Sequence, residues 1–410
     1  MKKTIMILLL VSQSFWAQTS SKKNYEVFSF ITDVNNAEVY YNEFLQENSS
    51  DKLDKEQLSP FQAQLAADWL AAGSLEKYNY YKSLNPDFSA VHLLDLCNVL
   101  ESWTDEDKNT ALVEKISSDL LNEINKGTLS DGIGRTQILY EVNAVANARL
   151  GNIDLAMKNI EKSTSLDKDG LRDAKYFKDT KANYLNRYAV ILSAAGQDQK
   201  AFDLLTKAVR DADSNPLLLE TLKKLYAKVK GNSEGSSKYI TDLQNEAYQN
   251  VYKKVEKEYI KTIKPMPKTI ITDLNGKNTN LADYRGKILV IDFWATLCKP
   301  CVAAFSGFEL VVDEYKNEPF QLFVIDLFET QETVKTFVTK KHITLDVLHD
   351  EASIAGDTYS IQTKGTPTKI VFDYDGNIRF DSSGYQGSTH REYYKLKSMV
   401  EIIKNKHQKK

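Results

Sequence analysis

Two patterns of apolar positions divide the chain. From about residue 24 to residue 262, apolar residues recur at helical spacing, and glycine and proline are sparse. After residue 267, short apolar runs alternate with helical stretches. Pro265 and Pro267 mark the change, because proline cannot continue a helix. We therefore predict an all-α helical region over residues 24–262 and a second domain over residues 265–405.

Within the helical region, three segments have the pattern of a helix end followed by a glycine turn: residues 68–73 (DWLAAG), 146–151 (ANARLG) and 192–196 (LSAAG). The last two precede similar helices, and the small residues Ala144 and Ala189 occupy matching positions before them. This arrangement resembles degenerate tetratricopeptide-type helix pairs, whose small residues let antiparallel helices approach closely. The alternative is an ordinary irregular helical domain.

The second domain reads as α/β. Apolar runs predict strands over residues 269–274, 288–294, 320–326, 345–348, 369–374 and 377–380. Helical patterns fall over residues 300–315, 332–341, 352–359 and 392–404. Buried strands that alternate with helices imply a parallel core, and the last two strands, joined by a turn, add an antiparallel edge.

The first residues are typical of an exported protein. Lys2 and Lys3 precede an apolar run over residues 5–11, and Ala17 is a small residue suited to cleavage. We predict a signal peptide over residues 1–17 and a periplasmic or otherwise exported location. A membrane anchor is the alternative, for which the apolar run is short. At the other end, residues 406–410 read as a basic tail.

Composition narrows the possible classes. A chain of 410 residues is too long for one ordinary core, and its net charge of -3 gives no argument for nucleic-acid binding. Three cysteines do not make the disulfide framework of a small secreted protein. Cys97 lies in an apolar helical stretch and is expected to be a buried core thiol. The other two cysteines lie three positions apart.

Cys298 and Cys301 follow an apolar strand and open a helix. Unpaired N–H groups at a helix N-terminus stabilise a thiolate, and only the thiolate attacks disulfides. We expect Cys298 to be the exposed nucleophile and Cys301 the resolving thiol. Lys299 adds a positive charge, and Pro300 suits a first helical turn. The alternatives are a structural disulfide and a zinc site, which would need two further ligands. We predict no metal and no cofactor beyond the redox-active disulfide itself.

Asp292 and Pro367 are the next candidates. Asp292 interrupts an apolar strand, where burial would raise its pKa and make it a proton acceptor for Cys301. The alternatives are pairing with a lysine or a solvated strand edge. Pro367 follows Thr366 at the start of a strand, where spacing alone would favour an ordinary loop proline. In combination with the cysteine pair, it is a candidate cis proline next to the sulfurs.

These residues together resemble the TlpA/ResA-type thioredoxin-like reductases. The resemblance rests on residues 293–301 (FWATLCKPC), preceded by Gly286-Lys287 and followed by residues 365–368 (GTPT) and 375–376 (DG). It implies a thioredoxin-like domain with a central mixed sheet flanked by helices. In that comparison Leu297 stands where a second tryptophan is common, and Ala304 stands where many members carry a glutamate.

The resemblance also implies site roles. Cys298 and Cys301 are the redox pair, and Pro367 is the cis proline. Trp294 corresponds to a tryptophan beside the site, with core packing as its alternative. We expect Trp294 to contact substrate, together with three residues close to the sulfurs: Thr366, Lys299 and Pro300.

The predicted function is an exported thiol–disulfide oxidoreductase that reduces or exchanges disulfides of periplasmic proteins. Its expected partners are those proteins and a membrane or periplasmic thiol electron donor. The alternative is a scaffold protein that binds a partner through the helical region, with the thioredoxin fold as an accessory. The direction of electron flow does not follow from residue types.

Overall fold

The computed structural model describes residues 23–48, 53–84, 86–167, 170 and 177–408. The predicted signal peptide lies outside these residues. Two parts follow one another along the chain: a helical region, then an α/β domain built on a seven-stranded mixed sheet. The predicted fold class is confirmed.

Twelve helices make up the described part of the helical region. They are α1 (Tyr25–Ser29), α2 (Val34–Asn48), α3 (Lys55–Ala71), α4 (Leu75–Ser83), α5 (Ala90–Asp105), α6 (Thr110–Asn125), α7 (Thr136–Arg149), α8 (Ile153–Leu166), α9 (Thr180–Ala194), α10 (Asp198–Arg210), α11 (Pro216–Lys230) and α12 (Ser236–Val255).

The predicted glycine turns are confirmed. Helices α3, α7 and α9 each end just before Gly73, Gly151 or Gly196, and each glycine has a positive φ of 75–85°. A residue with a Cβ disfavours that backbone conformation, so glycine ends the helix and reverses the chain. Antiparallel pairs α7–α8 and α9–α10 follow, packed through small residues such as Ala144 and Ala189, which are fully buried. The tetratricopeptide-like interpretation stays a prediction.

The last helix of this region is shorter than the sequence suggests. Helical periodicity predicts a helix over residues 238–263, but α12 ends at Val255 and one 3-10 turn follows. Beyond it the chain binds the edge of the α/β domain: Ile260 N donates to Arg379 O at 2.9 Å, and Arg379 Nη1 donates to Ile260 O at 3.1 Å. Backbone pairing with the other domain replaces the helical hydrogen bonds, which periodicity alone cannot reveal.

The α/β domain contains seven strands and five helices. In chain order they are β1 (Ile270–Asp273), β2 (Asn278–Asn280), β3 (Ile288–Trp294), α13 (Lys299–Tyr315), β4 (Phe320–Leu327), α14 (Gln331–Lys340), β5 (Asp346–Asp350), α15 (Ile354–Thr358), α16 (Ile361–Lys364), β6 (Thr368–Phe372), β7 (Ile378–Ser383) and α17 (Thr389–His407).

The sheet order is β2-β1-β5-β4-β3-β6-β7. Strands β3, β4 and β5 are parallel, whereas β6 pairs antiparallel with both β3 and β7. Every residue of β3 is buried. Alternate residues of β3 face two cores, one under α13 and α17 and the other under α15 and α16. Burial on both faces explains its continuous apolar run.

Several boundaries differ from the predictions. Strand β2 was not predicted, because its sequence, Asn-Thr-Asn, is polar. The helix predicted over residues 352–359 is present as α15, which is shorter at Ile354–Thr358. A second short helix, α16, follows Ser360, which has a φ of 59°, and was not predicted. Helix α17 continues to His407, past the predicted helix end at residue 404, and so includes the first two residues of the segment predicted as a basic tail.

The two parts dock through α17. The Asp179 carboxylate, just before α9, accepts hydrogen bonds from Thr389 N and Thr389 Oγ1 at 2.5 and 2.7 Å. His390 Nδ1 lies 2.9 Å from Ser214 Oγ, and Ser388 Oγ donates to Ala212 O at 2.6 Å. These groups are buried, so buried hydrogen bonds join the helical region to the α/β domain.

Candidate active site

The cysteine pair lies at the carboxyl end of β3. Cys298 is the N-cap of α13, Pro300 occupies its first turn, and Cys298 O accepts from Cys301 N at 3.0 Å. The two sulfurs form a disulfide, with Cα atoms 5.3 Å apart. Cys298 is partly exposed, whereas Cys301 is fully buried among the core residues under α13. Only Cys298 can therefore meet an incoming sulfur.

The loop before Cys298 is held by a carboxylate from the neighbouring strand end. Glu329 accepts hydrogen bonds from Thr296 N and Thr296 Oγ1 at 2.6 and 2.5 Å. Nearby, burial and then the Glu329 side chain raise the pKa of Asp326 to about 9, which keeps that carboxyl neutral at pH 7. The sequence interpretation missed Glu329 and Asp326. An acidic residue at the carboxyl end of a predicted parallel strand was the available signal.

Asp292 is fully buried on β3, as predicted. It lies on the same face of β3 as Val290 and Trp294, which pack in one core with Cys301. Burial raises the pKa of Asp292 to about 7, against the opposing effect of Lys369. Lys369 is its cross-strand neighbour on β6, and Lys369 Nζ lies 3.7 Å from Asp292 Oδ1. The alternative interpretation, in which Asp292 pairs with a lysine, is therefore met. The Asp292 carboxyl nevertheless titrates near neutral pH.

Lys369 and Glu392 complete a buried cluster that the sequence interpretation missed. Both side chains are fully buried, and Lys369 Nζ lies 2.9 Å from Glu392 Oε1. Glu392 Oε2 also accepts from Gln386 N at 2.9 Å. The contact requires Gly307 on α13, because a Cβ there would come within 2.7 Å of Glu392 Cβ. Lys369 interrupts an apolar strand just as Asp292 does, so the same signal was present.

The Thr366–Pro367 peptide bond is cis, as the sequence suggests. Pro367 is buried and Thr366 is partly exposed at the start of β6. Strand β6 pairs antiparallel with β3, so the start of β6 lies beside the end of β3. The Thr366–Pro367 turn therefore lies at the same end of the sheet as Cys298. The structure thus brings Cys298, Cys301, Asp292 and Pro367 to one end of two adjacent strands. Their catalytic roles stay predictions.

Among the predicted substrate contacts, Trp294 is wrong. Its side chain is fully buried and packs against Phe305 and Phe337, with ring centroids 5.1 and 5.8 Å apart. No substrate can reach it without unfolding the core, so its role is packing. Lys299 and Pro300 are partly exposed, and Leu297 is 80% exposed.

The remaining candidates lie elsewhere. Cys97 is fully buried in α5, and burial raises the pKa of its thiol to about 12, which makes it a poor nucleophile. Among the described residues, no three His, Cys, Asp or Glu side chains are grouped as a metal site would need. None of the described helices has both the length and the apolar composition for crossing a bilayer.

Known proteins resemble the second part of the chain. The AhpC/TSA family model matches residues 263–381. The thiol-disulfide oxidoreductase ResA of Bacillus cereus is 31% identical over 147 residues, which cover 36% of this chain and 83% of that protein. The ResA of Bacillus anthracis is 30% identical over the same length.

A solved structure shows a similar extent of match. The solution structure of a putative protein disulfide isomerase from Bacteroides thetaiotaomicron has 25% identity to this chain and a TM-score of 0.32. It covers 37% of this chain and 96% of its own length.

The residues that the family model matches include the cysteine pair and the cis proline. The match to 83% of the length of the Bacillus cereus ResA agrees with the resemblance that the motifs indicate. Through its C-terminal thioredoxin-like domain, the chain belongs to the ResA family of thiol–disulfide oxidoreductases.

Proposed function

We propose that this protein reduces or exchanges disulfides of exported proteins through Cys298 and Cys301. One observation carries the proposal: a partly exposed Cys298 caps α13 and is bonded to a fully buried Cys301. A nucleophile open to substrate and a resolving thiol shielded from it are what a two-step exchange needs.

The reaction begins with the reduced dithiol. The Cys298 thiolate attacks a substrate disulfide, which forms a mixed disulfide and releases one substrate sulfur as a thiol after protonation. Cys301 then transfers its proton to Asp292 and attacks the Cys298 sulfur, which releases the second substrate thiol. Two electrons pass to the substrate, and Cys298 and Cys301 end as a disulfide. A dithiol electron donor must reduce that disulfide for the next turnover.

The proposal places the protein in the periplasm or outside the cell. The charged and apolar pattern of residues 1–17 and the likeness to ResA support this location. Its substrates would then be secreted proteins, and its electron donor a membrane or periplasmic thiol protein.

The test is insulin reduction with dithiothreitol as the electron source. Cys298→Ser should abolish the activity, because no other described cysteine is exposed. Cys301→Ser, reduced first and then freed of dithiothreitol, should instead accumulate a mixed disulfide between Cys298 and insulin, visible by non-reducing electrophoresis. Full activity in the Cys298→Ser variant would refute the proposal. The reduction potential of the pair, measured against glutathione, would set the direction of electron flow.

A further inference from the structure

A large cleft separates the helical region from the thioredoxin-like domain. Its volume is about 1470 Å³. Leu297 and Lys299, the two neighbours of Cys298, line one wall, and Val91 and Asp95 on α5 line the other. Any molecule that fills the cleft therefore lies beside the reactive sulfur.

The size of the cleft favours a polypeptide as its ligand. Pockets for small molecules typically measure about 300–1,000 Å³, which this cleft exceeds. Residues of α3, α5, α13 and α14 line it, and it is partly open to solvent. A short extended chain segment fits such a shape better than a compact metabolite.

Both walls carry exposed apolar side chains. Val91 is 61% exposed and Leu297 is 80% exposed, although both are large apolar residues. Exposed apolar groups that face each other across a cleft are typical of a binding surface. They suit the apolar side chains that a non-native polypeptide exposes.

The walls also carry opposite charges. Asp68 and Asp95 lie on the helical wall, and Lys299 and Lys341 lie on the opposite wall. Within the described residues, no ion pair joins these four side chains across the cleft. Burial raises the pKa of Asp95, and the Lys341 and Lys299 charges oppose that shift. An extended polypeptide backbone carries N–H donors and C=O acceptors along both of its edges, so it can donate to the acidic wall and accept from the basic wall.

We propose that this cleft binds an extended segment of the disulfide-bearing polypeptide substrate and presents it to Cys298. The proposal rests on the function proposed above and adds that the helical region selects polypeptides over small disulfides. The helical wall of the cleft, on α3 and α5, lies outside residues 263–381 that the AhpC/TSA family model matches, so the selection is a property of the whole chain.

The experiment compares two exposed valines on helices of the same region. Val91→Arg places a long charged side chain in the cleft. Val39→Arg places the same side chain on α2, outside the cleft, at a valine that is 55% exposed. Each variant is assayed with insulin and with the small, uncharged bis(2-hydroxyethyl) disulfide, because a charged disulfide would respond to the added arginine. We expect Val91→Arg to raise the KM for insulin about fivefold, as loss of one well-placed contact does. It should leave kcat/KM for the small disulfide unchanged, and Val39→Arg should change neither.

Equal loss with both substrates, or no change with insulin, would overturn the proposal while small-disulfide reduction by the unmodified protein would still uphold the oxidoreductase function. If Val91→Arg converts a dimer to a monomer in sedimentation, the cleft binds a second copy and the proposal is wrong.

A second measurement, photo-cross-linking, tests the proposal if the Val91→Arg variant does not fold. A photoreactive benzophenone side chain at position 91 or at position 39 is combined with Cys301→Ser, and insulin is trapped on Cys298. We expect cross-linking to insulin from position 91 only. Cross-linking from neither position, or from both equally, would contradict the proposal.

Discussion

At the scale of single residues, the buried cluster of Asp292, Lys369 and Glu392 places one ammonium between two carboxyl groups. Lys369 Nζ lies 2.9 Å from Glu392 and 3.7 Å from Asp292, and all three side chains are fully buried. One positive charge can balance only one carboxylate in this low-dielectric site. Glu392 has the shorter contact, so Asp292 is the carboxyl that gains and loses a proton near neutral pH.

This arrangement predicts opposite effects for two substitutions. Glu392→Gln removes a negative charge and frees Lys369 to pair with Asp292, so the pKa of Asp292 should fall. Lys369→Met removes the one cation that lies next to Asp292 among the described residues, so that pKa should rise. Because Asp292 accepts a proton only as a carboxylate, Lys369→Met should slow resolution of the mixed disulfide at pH 7 about tenfold. Stopped-flow measurement of this step from pH 5 to 9 checks both shifts.

The double variant Lys369→Met/Glu392→Gln serves as the control. It removes both charges together and should return the pH profile toward that of the unmodified protein. Asp292→Asn should eliminate the profile altogether. A shift of both single variants in the same direction would contradict this account, because it would show that the cluster acts through folding rather than through charge.

At the scale of helices, Arg187 on α9 joins α5 and α7 from within the helical region. Its side chain is 1% exposed and contacts Glu101, Asp105 and Glu141 at 3.1, 3.2 and 3.1 Å. Arg187→Met would leave three acidic groups without their shared cation. We expect a loss of about 3–5 kcal/mol in the free energy of unfolding, measured by urea denaturation of the full chain.

A solvent-exposed ion pair in the same region gives the comparison. Arg210 and Glu246 lie 3.3 Å apart, with both side chains about half exposed. Arg210→Met should cost less than about 1 kcal/mol, since water and salt screen exposed pairs. Similar losses in the two variants would mean that the buried network contributes no more than a surface contact.

At the scale of the whole molecule, the docking of the two parts should weaken in acid. Burial lowers the pKa of His390 to about 4, below its ordinary value of 6.5. The unfolded chain therefore binds more protons between pH 6.5 and 4, and the stability that His390 contributes above pH 6.5 is lost as pH falls. The loss should reach about 2–3 kcal/mol at pH 4.5.

Thermal unfolding between pH 4.5 and 8 measures this effect. His390→Gln, which keeps a polar group near Ser214, should reduce the slope of stability with pH. His407→Gln at the exposed end of α17 should leave the slope unchanged. If the slope stays the same in the His390 variant, acid acts on the fold elsewhere, for example through the buried His92.

Local sequence signals predicted a large part of the molecule. Glycine turns, the proline boundary and the alternation of strands with helices each depend on a few neighbouring residues. The same holds for the Cys298–Cys301 pair at a strand-to-helix turn and for Pro367. Strand β2 and the course of the chain after α12 were not predictable this way, because backbone pairing with distant strands determines them.

Short stretches of sequence were enough to predict a cysteine pair at a helix start and an acid within an apolar strand, because each depends on a few neighbouring residues. The cis proline followed once Pro367 was considered together with that pair. The groups that surround these residues could be found only from the folded chain. Lys369 and Glu392 meet Asp292 because β6, α17 and a glycine on α13 converge from positions far apart in the chain. The burial of Trp294 and the cleft beside Leu297 likewise arise from packing between elements, which no local pattern specifies.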